Sequence, residues 1–125
     1  MTNYSIGDFL VQIKNAGMAG NHDVTTKSTK MIKAVAQVLK KGGYLEEVKE
    51  DKELITVSLR FHKKQPILVD LKLVSRPGLR VYKNVDEIES HRGISKFIMT
   101  TPGGIMLSDE AKKKRVGGEV IAEIW

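Results

Sequence analysis

Ser28–Leu59, STKMIKAVAQVLKKGGYLEEVKEDKELITVSL, changes its hydrophobic period halfway along, and that change decides the fold class. In its first part Met31, Val35, Val38 and Leu39 recur at three- and four-residue spacing, which lines apolar side chains along one face of a helix. Ser28 or Thr29 can cap its start, since a hydroxyl oxygen accepts from the free amides of the first turn, and Gly42-Gly43 ends it. Lys30, Lys33, Lys40 and Lys41 decorate the helix. Beyond Tyr44-Leu45 and a charged turn, the residues Leu54 to Leu59 alternate with period two, so the second part reads as a hairpin. Helix followed by antiparallel hairpin places the chain in the α+β class.

The flanking sequence extends this pattern. Ile6, Phe9, Leu10 and Ile13 predict a first helix over about 5–17, with Ser5 as N-cap and Asp8 as its capping-box partner. A loop carrying a short strand at Val24–Thr26 joins it to the second helix, and both helices are expected to pack on the hairpin. His62 to Pro66 is the best candidate for a turn between strands or lobes. After it come a strand at 67–74, a Pro77-Gly78 break before Leu79–Tyr82, a short acidic helical stretch at Asp86–Ser90 and a strand at Lys96–Met99. A loop at Thr100, Ile105–Leu107, a helical turn or two capped by Ser108, and a final strand follow. In that strand Val120, Ala122 and Ile124 are expected on one face and Ile121, Glu123 and Trp125 on the other. The expected organisation is two small lobes: residues 1–64, with helices on a short antiparallel sheet, and residues 65–125, mostly β with a short helix.

The chain has 125 residues, 41% of them hydrophobic, enough for a real core. Twenty-one Lys and Arg against fifteen Asp and Glu leave a net charge of +6, which favours an anionic partner, nucleic acid first. Residues 51–125 carry fourteen cations and ten anions, so most of the excess lies there. The absence of cysteine excludes disulfides, thiolate metal sites and a cysteine nucleophile, and fits a reducing, cytoplasmic setting. No basic start with an apolar run precedes Tyr4, and no stretch of about 18 apolar residues occurs, so neither a signal peptide nor a membrane partner is expected.

Catalytic constellations are missing. His22, His62 and His91 stand far apart without metal-ligand spacing, no serine lies in a G-x-S-x-G elbow, and the glycine-rich segments lack phosphate-loop and dinucleotide fingerprints. The carboxylate pairs Glu46-Glu47, Glu50-Asp51 and Asp86-Glu87 read as solvated turns. No enzyme activity, metal or cofactor is expected. Nucleic-acid chemistry is better represented. Ser75–Tyr82, SRPGLRVY, holds Ser75, Arg76, Arg80 and Tyr82 within eight residues; a guanidinium forks two donors onto a phosphate, and a tyrosine stacks on a ribose or base. Strand alternation puts Arg80 and Tyr82 opposite Leu79 and Val81, which would enter the core. Thr100–Glu119 adds the hydroxyls of Thr100 and Thr101 and the glycines 103, 104, 117 and 118, where a main chain without Cβ can approach a ligand. Lys112–Arg115 fit an ordinary helix end. Lys30 sits where helix amides already favour an anion, and Lys14 and Lys83 complete the set of candidate contacts. With few aromatics and abundant hydroxyl and amide donors, the expected partner is structured RNA, contacted through backbone, ribose and minor groove.

Several blocks in order carry a family likeness: Ile6–Ala16, Lys27–Glu47, VSRPGLRVYKNVDEI at Val74–Ile88 and GGIMLSDEAKKKRVGGEVI at Gly103–Ile121. Over essentially its whole length the chain resembles bacterial-type small-subunit ribosomal protein eight. The resemblance implies two α+β lobes and direct binding to the central domain of small-subunit ribosomal RNA, organising platform assembly. It also implies contact with neighbouring ribosomal proteins and, in some bacteria, repression through the protein's own messenger RNA; a free translational regulator is the alternative function. The family's serine-threonine-serine RNA loop falls on Thr100, Thr101 and Pro102, and Pro102 has neither the hydroxyl nor a backbone donor. The lysine that usually follows is Gly103, whereas Gly117, Gly118, Glu119 and Tyr82 match. The family's Asp-Pro near the start is replaced by Tyr4-Ser5. On this reading Thr101→Ala weakens RNA binding and leaves the fold unchanged.

Overall fold

The computed structural model describes residues 5–125. The chain divides into two compact units, one reaching to Asp70 and the other running from Leu71 to Trp125.

The first unit opens with α1 (Ser5–Met18), whose Phe9, Leu10 and Ile13 are buried as their spacing requires. Ser5, expected to precede the helix as its N-cap, is instead its first residue, and Asp8 lies in the first turn. Strand β1 (Asp23–Lys27) leads to α2 (Lys30–Lys41), where the Thr29 hydroxyl accepts from the Ile32 amide at 3.1 Å. The buried stripe of α2 is Ile32, Val35, Ala36 and Leu39. Met31, expected inside, is 40% exposed, because the stripe at i, i+3, i+4 and i+7 starts one residue later and turns it outward. The hairpin of β2 (Leu45–Asp51) and β3 (Leu54–Leu59) is present, and β1 adds to β3, giving an antiparallel sheet in the order β1-β3-β2. Ile55, Val57 and Leu59 point into the core and Thr56 and Ser58 away from it, the alternation read from sequence. The turn expected at His62–Pro66 is a hairpin of its own, β4 (Phe61–His62) with β5 (Gln65–Pro66), and residues 67–70 are not strand.

The second unit contains β6 (Leu71–Leu73), β7 (Tyr82–Lys83), α3 (Val85–Ser90), β8 (Lys96–Thr101), β9 (Gly104–Leu107), α4 (Ser108–Lys114) and β10 (Gly118–Ile124). β10 is the centre of an antiparallel sheet ordered β6-β10-β8-β9, and β7 also pairs with it. Ile88, Phe97, Met99, Met106, Ala111 and Val120 form one cluster of its core, to which α3 contributes Ile88 and α4 contributes Ala111. The expected two-faced pattern of the last strand is broken by a bulge between Val120 and Ala122, and Val120, Ile121 and Ala122 are all buried. On the other side of β10 the Ile121 carbonyl accepts from the Val74 amide at 3.0 Å, just beyond the pairing with β6. Ser108 does not cap α4: its hydroxyl accepts from the Phe97 amide at 3.0 Å, tying the helix to β8. Leu79, expected in the core, is 64% exposed, since Arg76 and Leu79 close a turn over Pro77-Gly78. Among the described residues no helix is long and apolar enough to cross a membrane, and no group of three or more potential ligands could hold a metal.

Candidate nucleic-acid interface

The sheet register of the second unit gathers residues that lie far apart in the chain. Glu119 on β10 faces Tyr82 on β7 on one side and Thr100 on β8 on the other, so the three form one row across three strands. Gly118, next along β10, pairs with Lys83. Tyr82 is 66% exposed, an aromatic ring left in water beside a partly buried carboxylate. Arg80 reaches Glu119 at 3.2 Å. This exposed pair contributes little to stability; it brings the guanidinium to the carboxylate that pairs across the strands with Tyr82. Lys83 holds its ammonium 5.5 Å from the centre of the Phe97 ring, over its face.

A shallow groove of about 460 Å³ lies beside this row, lined by Tyr82, Lys83, Asn84, Val85, Glu87, Gly117 and Gly118. Its helical wall is held by a capping box: the Asn84 side chain accepts from the Glu87 amide at 2.9 Å, and the Glu87 carboxylate accepts from the Asn84 amide at 3.0 Å. Asn84, Val85 and Glu87 were not among the expected site residues. The Asn-x-x-Glu spacing at 84–87 is the sequence signal that marks them as a helix start.

Gly117 and Gly118 are both required by the packing of the strands themselves. A Cβ on Gly117 would stand 2.5 Å from the Lys83 carbonyl oxygen and 2.8 Å from Asn84 Cα, and one on Gly118 would overlap the Thr100 carbonyl. Neighbouring main chain already occupies that space, so glycine is required for the strands to close on one another.

Two expected hydroxyl contacts are committed inside the protein. Ser75 is wholly buried; it donates to the Val120 carbonyl at 2.6 Å and accepts from the Val81 amide at 2.9 Å, holding the bulge of β10. These two bonds give the Ser75 hydroxyl a structural role. Thr101 is 7% exposed and ends β8, where its hydroxyl donates to the Gly104 carbonyl at 2.8 Å and accepts from the Gly103 amide at 3.2 Å. The expected loop at Thr100 is therefore only Pro102-Gly103, with Thr100 and Thr101 in strand. Thr100 is half-buried, and Arg76 and Gly103 are exposed. Lys14 and Lys30 belong to the first unit. Lys14 pairs with Asp70 at 3.0 Å, whereas Lys30 is exposed on the first turn of α2. Nor are the histidines free loop residues throughout: the His22 ring lies 4.5 Å from Phe61, and His91 Nε2 bonds the Ser95 hydroxyl at 3.0 Å.

These features define a small, basic, two-unit α+β protein that presents an exposed tyrosine and arginine beside a partly buried carboxylate and hydroxyl, side-chain chemistry of the kind found in nucleic-acid-binding proteins. The chain belongs to the family described as Ribosomal protein S8, whose model matches residues 4–125. It is 42% identical over 130 residues to the small ribosomal subunit protein uS8 of Thermosynechococcus vestitus, covering 98% of each chain. The proteins of that name from Roseiflexus castenholzii and Spiroplasma kunkelii are 40% identical over 129 residues (98% of each chain) and 39% identical over 125 residues (97% of each chain). It is thus a structural protein of the small ribosomal subunit, not an enzyme.

Proposed function

We propose that this chain binds the central domain of small-subunit ribosomal RNA directly and helps organise assembly of the platform, with neighbouring ribosomal proteins packing against it. The observation that carries this reading is the row Tyr82–Glu119–Thr100 beside the Gly117-Gly118 groove. It offers a stacking ring, a guanidinium and a carboxylate side by side, a combination suited to the ribose and backbone edge of a folded A-form RNA. Glu119 accepts from Arg80 and remains free to accept from a ribose 2′-hydroxyl. Arg76, Lys83 and Gly103 would border this contact, while Ser75 and Thr101 support it from inside. Lys30, exposed on the first turn of α2, is proposed as a phosphate contact of the first unit, with Lys14 held in its ion pair until RNA competes for it.

The test is binding to transcripts of the small-subunit central domain across a salt series. Affinity should fall steeply, with a log–log slope of roughly 0.7–0.9 per neutralised phosphate. Tyr82→Ala should weaken binding while the fold persists. A near-zero salt slope, or full affinity in Tyr82→Ala, refutes the proposal. Cosedimentation with small subunits, rather than a free pool bound to messenger RNA, separates ribosomal function from regulation alone.

A further inference from the structure

The hairpin β4–β5 of the first unit is built in a way that its own stability does not explain. His62 pairs with Gln65, so the connection is the two residues Lys63 and Lys64 alone. Both have left-handed backbones, φ 52° and 67°, the geometry of a type I′ turn. Such turns favour Asn-Gly because a Cβ at positive φ crowds the backbone. The chain can supply glycine for this purpose, since Gly20, Gly43, Gly93 and Gly104 all occupy positive φ. At this two-residue connection it places two lysines in succession instead.

Lys63 and Lys64 are exposed, and among the described residues neither has an ion-pair or hydrogen-bond partner. The base of the hairpin is firmly held: the Phe61 ring rests on His22, the Ile67 amide donates to the Arg60 carbonyl at 2.9 Å, and Pro66 packs beside Gly17. A rigid base and a two-residue tip project both ammonium groups outward with little freedom in the backbone that carries them. Arg60 and His62, also exposed, precede the tip without an intervening carboxylate.

The geometry points to the Lys63–Lys64 tip as a phosphate-binding contact for RNA, separate from the Tyr82 row. This rests on the reading of the chain as an RNA-binding ribosomal protein. Cations kept at a backbone cost, presented on a fixed arm and left unpaired, suit a polyanion whose phosphates are contacted as point charges. An acidic protein surface is the competing occupant.

The decisive variant is the full-length chain carrying Lys63→Asn and Lys64→Gly together, which removes both charges while supplying the residues that the turn prefers. It should fold with an unfolding midpoint at or above that of the wild type. On central-domain RNA its log–log salt slope should be smaller by roughly 1.4–1.8, so its affinity loss between about 50 and about 200 mM salt is about ten-fold less than that of the wild type. Lys63→Arg with Lys64→Arg should keep the wild-type slope. If the wild type shows a steep slope and the Asn-Gly variant matches it, the hairpin proposal is overturned and the Tyr82 reading stands. Unchanged RNA binding with lost incorporation into subunits overturns it in favour of an acidic protein partner. A wild type without salt-dependent binding overturns both readings.

Discussion

Ser75→Ala should cost stability and spare ligand contact, the reverse of what its place in the SRPGLRVY segment suggests. The hydroxyl serves two backbone groups on segments that the Val120 amide already joins by donating to the Val81 carbonyl: it donates to the Val120 carbonyl, in a fully buried setting, and accepts from the half-buried Val81 amide. Alanine keeps the volume but removes both partners. A buried polar group left unsatisfied costs about 1–3 kcal/mol. The Val120 carbonyl should bear the full cost, while water can reach the Val81 amide, so the sum is about 2–4 kcal/mol. With a urea dependence of about 2 kcal/mol per molar for a chain of this size, the unfolding midpoint should fall by about 1–2 M. Equilibrium urea unfolding followed by circular dichroism measures this directly. RNA affinity determined well below the transition should stay at the wild-type value. An unchanged midpoint together with lost affinity would refute the reasoning, since it would mean that the hydroxyl reaches the RNA.

Three further perturbations probe the same region. Thr101→Val removes the hydroxyl that closes the Pro102-Gly103 turn and should destabilise by about 1–2 kcal/mol, with faster hydrogen exchange at the Gly103 amide; RNA binding should weaken only as the turn loosens. Gly117→Ala drives a methyl group to 2.5 Å from the Lys83 carbonyl and should cost about 2 kcal/mol or more in thermal unfolding, with amide shifts in β7 and the start of α3 by nuclear magnetic resonance. Asn84→Ala opens the capping box and should cost about 1 kcal/mol in the same measurement, an effect absent if α3 is held by Ile88 alone.

Legibility differed between the two halves. The first helix, the second helix and its hairpin were readable because each has one buried face and a regular period, so the pattern alone gives type and approximate bounds. In the second helix Ile32 and Ala36 are buried where Met31 and Val38 were expected, a small rotation of the stripe about the helix axis. In the second unit the strands are short and one carries a bulge, which puts Val120, Ile121 and Ala122 inside together and defeats a strict alternation. The candidate site was visible as composition: tyrosine, arginines, threonines and paired glycines. Which of these face outward was not visible, because a buried hydroxyl and a ligand-binding hydroxyl are the same residue until the third strand is placed.

The sequence by itself determined the α+β class, the order of the elements, the anionic character of the partner and the family, since these follow from local periods, charge and a run of matched blocks along the chain. Only the tertiary structure decided that Tyr82, Glu119 and Thr100 share one row, that Ser75 and Thr101 are spent inside, that the glycines at 117 and 118 serve strand closure and that two lysines crown a left-handed turn. Each of those facts depends on pairing between distant segments or on the sign of a backbone angle, and neither is written in the period of the side chains.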